Sequence, residues 1–239
     1  MAKKTFDWSK LTRIDIFDHM QSIRSNVTKR YLPITVVYNI LANHIRKIAP
    51  VRVYRKKNWD VPHDFVYIGG MYDSELDQDK KKCILINLLF NPLVDKFKFS
   101  KETFMMLSKE IADTILHEVI HMRQYRRRNF KSRPDYRSNV MQSYLRQQQS
   151  YLGNKDEIDA YSFNIACELY DKFGCNQSKI IKFLNQSRPR RSIGLKNYLK
   201  TFNYDHNHPV IIELKKKIKN YLSSAEMGKP FKNNNWIWY

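Results

Sequence analysis

The sequence predicts a helix-rich α+β protein in which a small, mainly antiparallel sheet packs against one long helix. Apolar residues recur at the 3.6-residue spacing of helices through most of the chain. The spacing changes to two only between Val51 and Leu88, where short apolar runs alternate with turn residues. With 239 residues, 42% of them hydrophobic, the chain can bury one sizeable core but is short for two independent domains. We therefore predict a single domain over residues 1–222 and an aromatic tail over residues 223–239.

Two helices are predicted before the sheet. The first is indicated by apolar residues at helical spacing: Ile14, Phe17, Met20 and Ile23. The second begins after Pro33 and ends before Pro50, because proline fits the first turn of a helix but not its interior. His44 falls in this second helix, where we expect a packed or half-exposed histidine rather than a metal ligand.

Three short strands are predicted at Val51–Arg55, Phe65–Ile68 and Cys83–Leu88. Gly69 and Gly70 follow the second strand, and paired glycines at this place indicate a bend or bulge.

The long helix after the sheet, which Ser100 or a neighbour caps, contains the motif His-Glu-x-x-His. Side chains four residues apart lie one above the other on a helix, so His117 and His121 can bind one Zn²⁺ from a single face. Glu118 lies beside them and could accept a proton from a metal-bound water. The alternative is a surface helix with two unrelated histidines. The apolar flanks argue against it, because burying idle imidazoles and a carboxylate costs free energy.

The order of a helix, short strands and a His-Glu-x-x-His helix resembles the N-terminal half of zincin metallopeptidases. The resemblance places the sheet and the motif helix within residues 33–125. In zincins a strand that borders the cleft can pair with the substrate backbone. Here that role would fall to Cys83–Leu88 or Phe65–Ile68, although either could equally be plain core sheet.

A catalytic zinc needs a third protein ligand and one position open to water. The best candidate is Glu157, at the start of an amphipathic helix that Asn154 or Asp156 opens. Asp156 and Asp159 remain alternatives, and Glu157 could instead only complement the positive end of the helix dipole. Tyr161 and Asn164 share the face of Glu157 and are candidates to hydrogen-bond the ligands.

This helix, at residues 155–172, resembles the third-ligand helix of ImmA/IrrE-type metallopeptidases, whose pattern is Glu-x-x-Ala-x-x-Phe. Glu157, Ala160, Phe163 and Ala166 occupy the matching places. The chain is also similar to small zincin-like proteins encoded by large tailed phages.

Zincins often use a downstream Tyr or His to stabilise the oxyanion of the tetrahedral intermediate. The resemblance therefore makes Tyr204 and His208 candidate catalytic residues. His208 immediately precedes Pro209, which begins a predicted helix, so it could instead be only a helix cap.

The chain is strongly basic, with 43 Lys and Arg against 23 Asp and Glu, a net charge of +20 and a pI near 9.8. A cationic block with interleaved aromatics follows the motif, and such blocks suit nucleic acid or another polyanion. Its candidate contact residues are Arg123, Arg126, Arg127, Arg128, Lys131 and Arg133. Alternatively, these residues form a solvated charged face, or they interact with the negative end of the dipole of the motif helix.

The cysteines Cys83, Cys167 and Cys175 are odd in number and lack Cys-x-x-Cys spacing, which is typical of reduced cytosolic thiols. The N-terminus has no apolar signal segment, and no apolar run is long enough to span a bilayer. We expect a soluble protein of the cytoplasm without a membrane partner. If the chain is phage-encoded, the cytoplasm is that of the host cell, and the virion is a further possible location.

These features together predict a metallopeptidase with one Zn²⁺ that hydrolyses peptide bonds of a protein or peptide substrate. Two alternatives use the positive charge. One is a nucleic-acid-associated or phage virion structural protein that retains a zincin fold. The other is a protease acting on nucleic-acid-bound proteins, as in SprT-like enzymes.

Overall fold

A computed structural model describes residues 6–174, 176–187, 189 and 192–224. It confirms the predicted class, a helix-rich α+β fold with a small sheet. The chain divides into two compact units, with the boundary between Phe130 and Lys131. We describe each unit by itself.

The N-terminal unit contains the sheet and the long helix, and a short 3₁₀ turn at Trp8–Lys10 precedes them. Its helices are α1 (Arg13–Gln21), α2 (Arg24–Thr28), α3 (Ile34–Ile48), α4 (Ser74–Gln78) and α5 (Lys101–Arg127). Its strands are β1 (Leu32–Pro33), β2 (Arg52–Lys57), β3 (Tyr67–Tyr72), β4 (Ile84–Phe90) and β5 (Lys96–Phe97).

β4 is the central strand of the main sheet, whose order is β2-β4-β3. β3 pairs antiparallel with β4, whereas β2 pairs parallel with it, so this sheet is mixed. A parallel pair arises because β4 inserts between two consecutive strands that run in opposite directions. β1 and β5 form a separate two-stranded antiparallel sheet.

The predicted bend or bulge at Gly69-Gly70 was wrong. Both glycines lie inside β3 in regular register, Gly69 opposite Asn87 and Gly70 opposite Ile86. Glycine in a strand indicates either a bulge or a close approach of another group. At Gly70 the second applies, because Glu118 of α5 packs against this position.

α5 is the 27-residue helix that carries the motif, and it packs against β3 and α1. Ser100 caps it as predicted, since its hydroxyl accepts a hydrogen bond from the Thr103 backbone N–H at 3.0 Å. Ile111, Ile115 and Val119 follow a helical spacing and are fully or almost fully buried. Burial of this face fixes the direction in which the motif side chains point.

The regular secondary structure of the C-terminal unit is all helical among its described residues, and residues 131–142 before it are irregular. Its helices are α6 (Ser143–Leu152), α7 (Lys155–Phe173), α8 (Gln177–Leu184), α9 (Ile193–Thr201) and α10 (Pro209–Leu222). α7 packs along α10. Asn154 caps α7 as predicted, accepting from the Asp156 backbone N–H at 2.9 Å.

Two features named from the sequence extend beyond the described residues, namely most of the aromatic tail and Cys175. Among the helices that the structure describes, none is both long enough and apolar enough to cross a membrane.

Candidate metal centre

The two motif histidines lie side by side on α5. Their Nε2 atoms are 3.1 Å apart, and their ring centroids are 4.8 Å apart. His117 is 8% exposed and His121 is 9% exposed. Two imidazole nitrogens this close, and largely removed from water, can both bind one cation without rearrangement of the helix.

Gln124 orients His121. The Nδ1 atom of His121 lies 3.0 Å from Oε1 of Gln124, an amide oxygen that can only accept a hydrogen bond. This contact favours the tautomer that is protonated at Nδ1, in which Nε2, which faces His117, keeps its lone pair for a metal. Gln124 was not predicted from the sequence, although its position three residues after His121, on the same helix face, indicates a possible partner of that histidine.

Glu118 is buried against β3, where Gly70 makes room for it. A Cβ atom at Gly70 would lie 2.5 Å from Oε1 of Glu118 and 2.7 Å from the Thr114 methyl group. Contacts this short would force Glu118 or Thr114 to shift, so the missing side chain of Gly70 leaves the space that the carboxylate occupies.

Glu157 lies in the first turn of α7, and Asn154 caps the N-terminus of this helix. Burial, together with the nearby Tyr161 and Glu157, raises the pKa of Tyr151 of α6. Tyr161, predicted to support the ligands, has its hydroxyl 3.5 Å from that of Tyr151.

One ligand atom from each of His117, His121 and Glu157 lies within 4.8 Å of the other two. A tetrahedral Zn²⁺ with ligands at about 2.0–2.2 Å keeps its ligand atoms roughly 3.4 Å apart. The two nitrogens, 3.1 Å apart, are close to that spacing. Two histidines and one glutamate are also a donor set of catalytic zinc sites. These residues therefore fit the ion.

The neighbouring acids that remained as alternatives to Glu157 are engaged by cations of their own unit. Asp159 accepts a 2.7 Å hydrogen bond from Lys217 and a 3.3 Å hydrogen bond from Tyr221. Asp156 lies 3.4 Å from the Arg133 guanidinium. The structure thus groups Glu157, rather than either aspartate, with the histidines.

His208 is the N-cap of α10, because its Nδ1 accepts a hydrogen bond from the Val210 backbone N–H at 3.3 Å. Its ring also contacts Phe202, with centroids 4.5 Å apart. Tyr204 occupies the preceding turn with a left-handed backbone φ of 55°. Their predicted catalytic role stays a prediction, and the cap is the role that the geometry gives His208.

Several side chains of the cationic block make contacts within the protein. Arg126 holds the buried Asp77 carboxylate through two nitrogens at 2.6 and 2.8 Å. Arg128 stacks over the Tyr125 ring at 4.9 Å. Arg127 and Lys131 are exposed, whereas Arg123 reaches the Trp8 carbonyl oxygen at 3.4 Å.

Of the two strands predicted to border a substrate, only one has an available edge. The predicted strand Cys83–Leu88 corresponds to β4, which begins one residue later and is paired on both sides. The predicted strand Phe65–Ile68 overlaps β3 only at its last two residues, because β3 begins at Tyr67. Among the described residues, β3 pairs only with β4. A third chain segment could therefore add to this sheet along β3 but not along β4.

Comparison of the chain with known protein families, with curated proteins and with solved structures gives no match in any of the three.

Proposed function

We propose that this chain is a zinc-dependent metallopeptidase in which His117, His121 and Glu157 hold the ion and Glu118 is the general base. The observation that supports it is the convergence of three ligand atoms of these types within 4.8 Å. Zinc is the metal that this donor set favours. Peptide-bond hydrolysis is the reaction that the zincin-like motif suggests.

When bound, the ion would polarise the scissile carbonyl and lower the pKa of water in the site. Glu118 would take the proton of the attacking water and deliver it to the leaving amine. The burial of Glu118 against Gly70 limits its motion and favours this proton transfer. Gln124 would hold His121 in the tautomer that binds metal.

The outer edge of β3 is the proposed binding site for the substrate backbone. A peptide paired there in extended form would lie along the strand that contains Gly70, next to Glu118. Backbone hydrogen bonds would supply affinity with little dependence on side chains.

Metal analysis tests the ligand set. Protein purified without added metal should contain one equivalent of zinc, and His117→Ala and Glu157→Ala should each lose it. His63→Ala, at an exposed histidine of the same unit, should keep it. Asp159→Ala tests the alternative ligand and should also keep it. Absence of metal from the wild type, after incubation with zinc as well, would refute the proposal.

Glu118→Gln separates metal binding from chemistry. Glutamine keeps the size of the side chain but cannot accept the proton, so zinc content should be unchanged. Cleavage of denatured casein or of a mixed fluorogenic peptide library should fall by at least about 100-fold. Cleavage at the wild-type rate would show that Glu118 is not the base.

A nucleic-acid-associated function is the second candidate, and the net charge of +20 is the observation that favours it. The exposed Arg127 is its best contact residue, whereas Arg126 neutralises Asp77. Affinity for DNA or RNA should fall steeply as salt rises from 50 to 200 mM, as counterion release requires. No binding at low salt would discard this function.

A further inference from the structure

The three-stranded sheet of the N-terminal unit has one buried face and one face that remains partly exposed. Along β4 the buried residues Ile86 and Leu88 alternate with Leu85, Asn87 and Leu89, which are half-buried. Successive side chains of a strand point to opposite sides, so the two sets lie on opposite faces of the sheet. We call the face that carries Leu85, Asn87 and Leu89 the outer sheet face.

The two glycines of β3 show which of its residues belong to this face. A Cβ atom at Gly69 would lie 3.8 Å from the Leu89 side chain and 3.9 Å from that of Asn87, so Gly69 is on the outer sheet face. A Cβ atom at Gly70 would instead meet Glu118 of α5. The outer sheet face is therefore turned away from the proposed general base, and an inference about it does not rest on the metal site.

Each outer strand of the sheet places one exposed tyrosine on this face. Tyr54 of β2 is opposite Asn87, and Tyr67 of β3 is opposite Leu89. Tyr54 is 42% exposed and Tyr67 is 40% exposed. Two strand spacings across and two residues along the sheet put their backbones roughly 12 Å apart. This is too far for the two rings to stack on each other, so each can bind a ring of a ligand.

Unpaired positive charge accompanies the tyrosines. β2 contains the cations Arg52, Arg55, Lys56 and Lys57 and no acidic residue. Arg52 and Lys56 lie two residues to either side of Tyr54, which puts them on the outer sheet face. None of these four cations forms an ion pair with another described residue. This edge of the sheet is therefore electropositive.

A cationic cleft continues from this face at the end of β2. The cleft has a volume of about 230 Å³, and Arg55, Lys56 and Lys57 line it. Among the described residues that line it, Asp95 alone is acidic. Lys56 thus belongs both to the outer sheet face and to the cleft, and the positive surface extends beyond the tyrosines.

Single-stranded nucleic acid is the partner that matches both features. Its phosphates pair with unneutralised cations, and its unpaired bases stack on exposed aromatic rings. A nucleic-acid duplex would satisfy the cations, but its bases are already stacked on one another and leave the tyrosines unused. A protein partner would cover the tyrosines but would leave buried cations without counter-charges unless it were itself acidic.

We propose that the outer sheet face binds single-stranded nucleic acid, with bases stacked on Tyr54 and Tyr67 and phosphates held by Arg52 and Lys56. The proposal goes beyond the metallopeptidase and does not rest on it. It also assigns nucleic-acid binding to a surface separate from Arg127 and the rest of the cationic block.

The test is fluorescence anisotropy of full-length protein with labelled, random-sequence single-stranded DNA and RNA of about 15 nucleotides, at about 50 mM salt. Tyr54→Ala and Tyr67→Ala should each weaken binding at least about fivefold, the effect of one lost stacking contact. Tyr54→Phe keeps the ring and should bind within about twofold of the wild type. Tyr144→Ala is the matched control, at a tyrosine that is 66% exposed in the C-terminal unit, and should change nothing.

The charge contribution is measured by the salt dependence of the same binding. Lys56→Ala should lower the slope of log affinity against log salt by about 0.7, the value for one phosphate of a single strand. Lys179→Ala removes the same charge at an exposed site of the C-terminal unit and should leave the slope unchanged.

Several results would overturn the proposal. These are no binding of either single strand at low salt, equal losses in Tyr54→Ala and Tyr144→Ala, and tighter binding to a duplex of the same length or to phosphatidylserine vesicles. Self-association of the wild type that Tyr54→Ala abolishes, measured by sedimentation, would assign the face to a second copy of the chain instead.

Two further measurements separate this proposal from the proposed functions. Loss of binding in Arg127→Ala, with unchanged binding in both tyrosine variants, would place nucleic acid on the cationic block and overturn the outer sheet face. Zinc content and peptide cleavage should be unchanged in Tyr54→Ala, because Tyr54 lies on the face turned away from Glu118. Loss of zinc from this variant would contradict that separation.

Discussion

Gly70 determines where the proposed general base can lie. The space that a side chain would fill is occupied by the Glu118 carboxylate and the Thr114 methyl group. Gly69, its neighbour, differs in this respect, because a Cβ atom there would meet Leu89 and Asn87 at 3.8 and 3.9 Å, ordinary contact distances. Of these two adjacent glycines, only Gly70 lies where a side chain would clash.

Gly70→Ala should displace Glu118 while leaving the histidines in place. Oε1 of Glu118 is at the end of a flexible side chain, but the methyl group of Thr114 is not, so we expect a stability loss of about 1–3 kcal/mol. Zinc content should be unchanged, and cleavage should fall at least about tenfold, since a misplacement of 1 Å is costly to proton transfer. Peptidase assays, metal analysis and thermal unfolding would measure the three effects.

Gly69→Ala is the matched control and should retain both metal and activity. If the two variants lose activity equally, the effect comes from the strand backbone and not from the place of Glu118.

At the scale of elements, an ion pair fastens the C-terminal part of α5 to α4. Asp77 has a side chain only 4% exposed, and Arg126 holds both of its oxygens. Burial disfavours the charged carboxylate, but hydrogen bonds from Arg126 and Tyr72 outweigh it, so the pKa of Asp77 lies below its ordinary value. Arg126 is five residues beyond His121, and the pair therefore restrains the turn of helix that follows the motif.

Arg126→Ala should destabilise the fold by roughly 2 kcal/mol, because it leaves a buried carboxylate unpaired. This free-energy cost is smaller than for a fully buried ion pair, because the Arg126 side chain is 47% exposed. Arg127→Ala, at the exposed neighbour, should change stability by less than about 0.5 kcal/mol. Urea unfolding of both variants at neutral pH would test this difference, and equal stabilities would contradict it.

At the scale of the whole molecule, stability should depend on pH through Glu110 of α5. Burial, with the nearby Asp113 charge, raises the pKa of Glu110 from 4.5 to about 7. The folded protein keeps a proton that the unfolded chain releases between these pH values. The stability that this group contributes is complete below about pH 4.5 and is lost as the pH rises to about 7, at most about 3 kcal/mol.

Glu110→Gln should therefore be more stable than the wild type at pH 8 and equally stable at pH 4. Urea unfolding at pH 4, 6 and 8 would measure the difference. Glu75→Gln, at an exposed glutamate, serves as the control and should follow the wild type. A constant difference between Glu110→Gln and the wild type across this range would contradict the raised pKa.

Local sequence patterns were sufficient for the secondary structure around the site. The helix from Ile34 to Ile48, the cap at Ser100 and the cap at Asn154 were predicted, because each depends on residues within one or two helical turns. The spacing of His117 and His121 alone placed their nitrogens on one face. The parallel pairing of β2 with β4 and the regular register of the two glycines could not be predicted, because both depend on partners distant in the sequence.

The amino-acid sequence by itself determined the helix-rich class, the histidine pair and the set of acids from which a third ligand could come. Only the tertiary structure decided that Glu157 is the acid near the histidines, that Gly70 makes room for Glu118 and that Arg126 forms an ion pair with Asp77. The physical reason is range. Helix periodicity and capping act between near neighbours in the chain, whereas the position of a carboxylate is fixed by packing and charge from residues that folding brings to it.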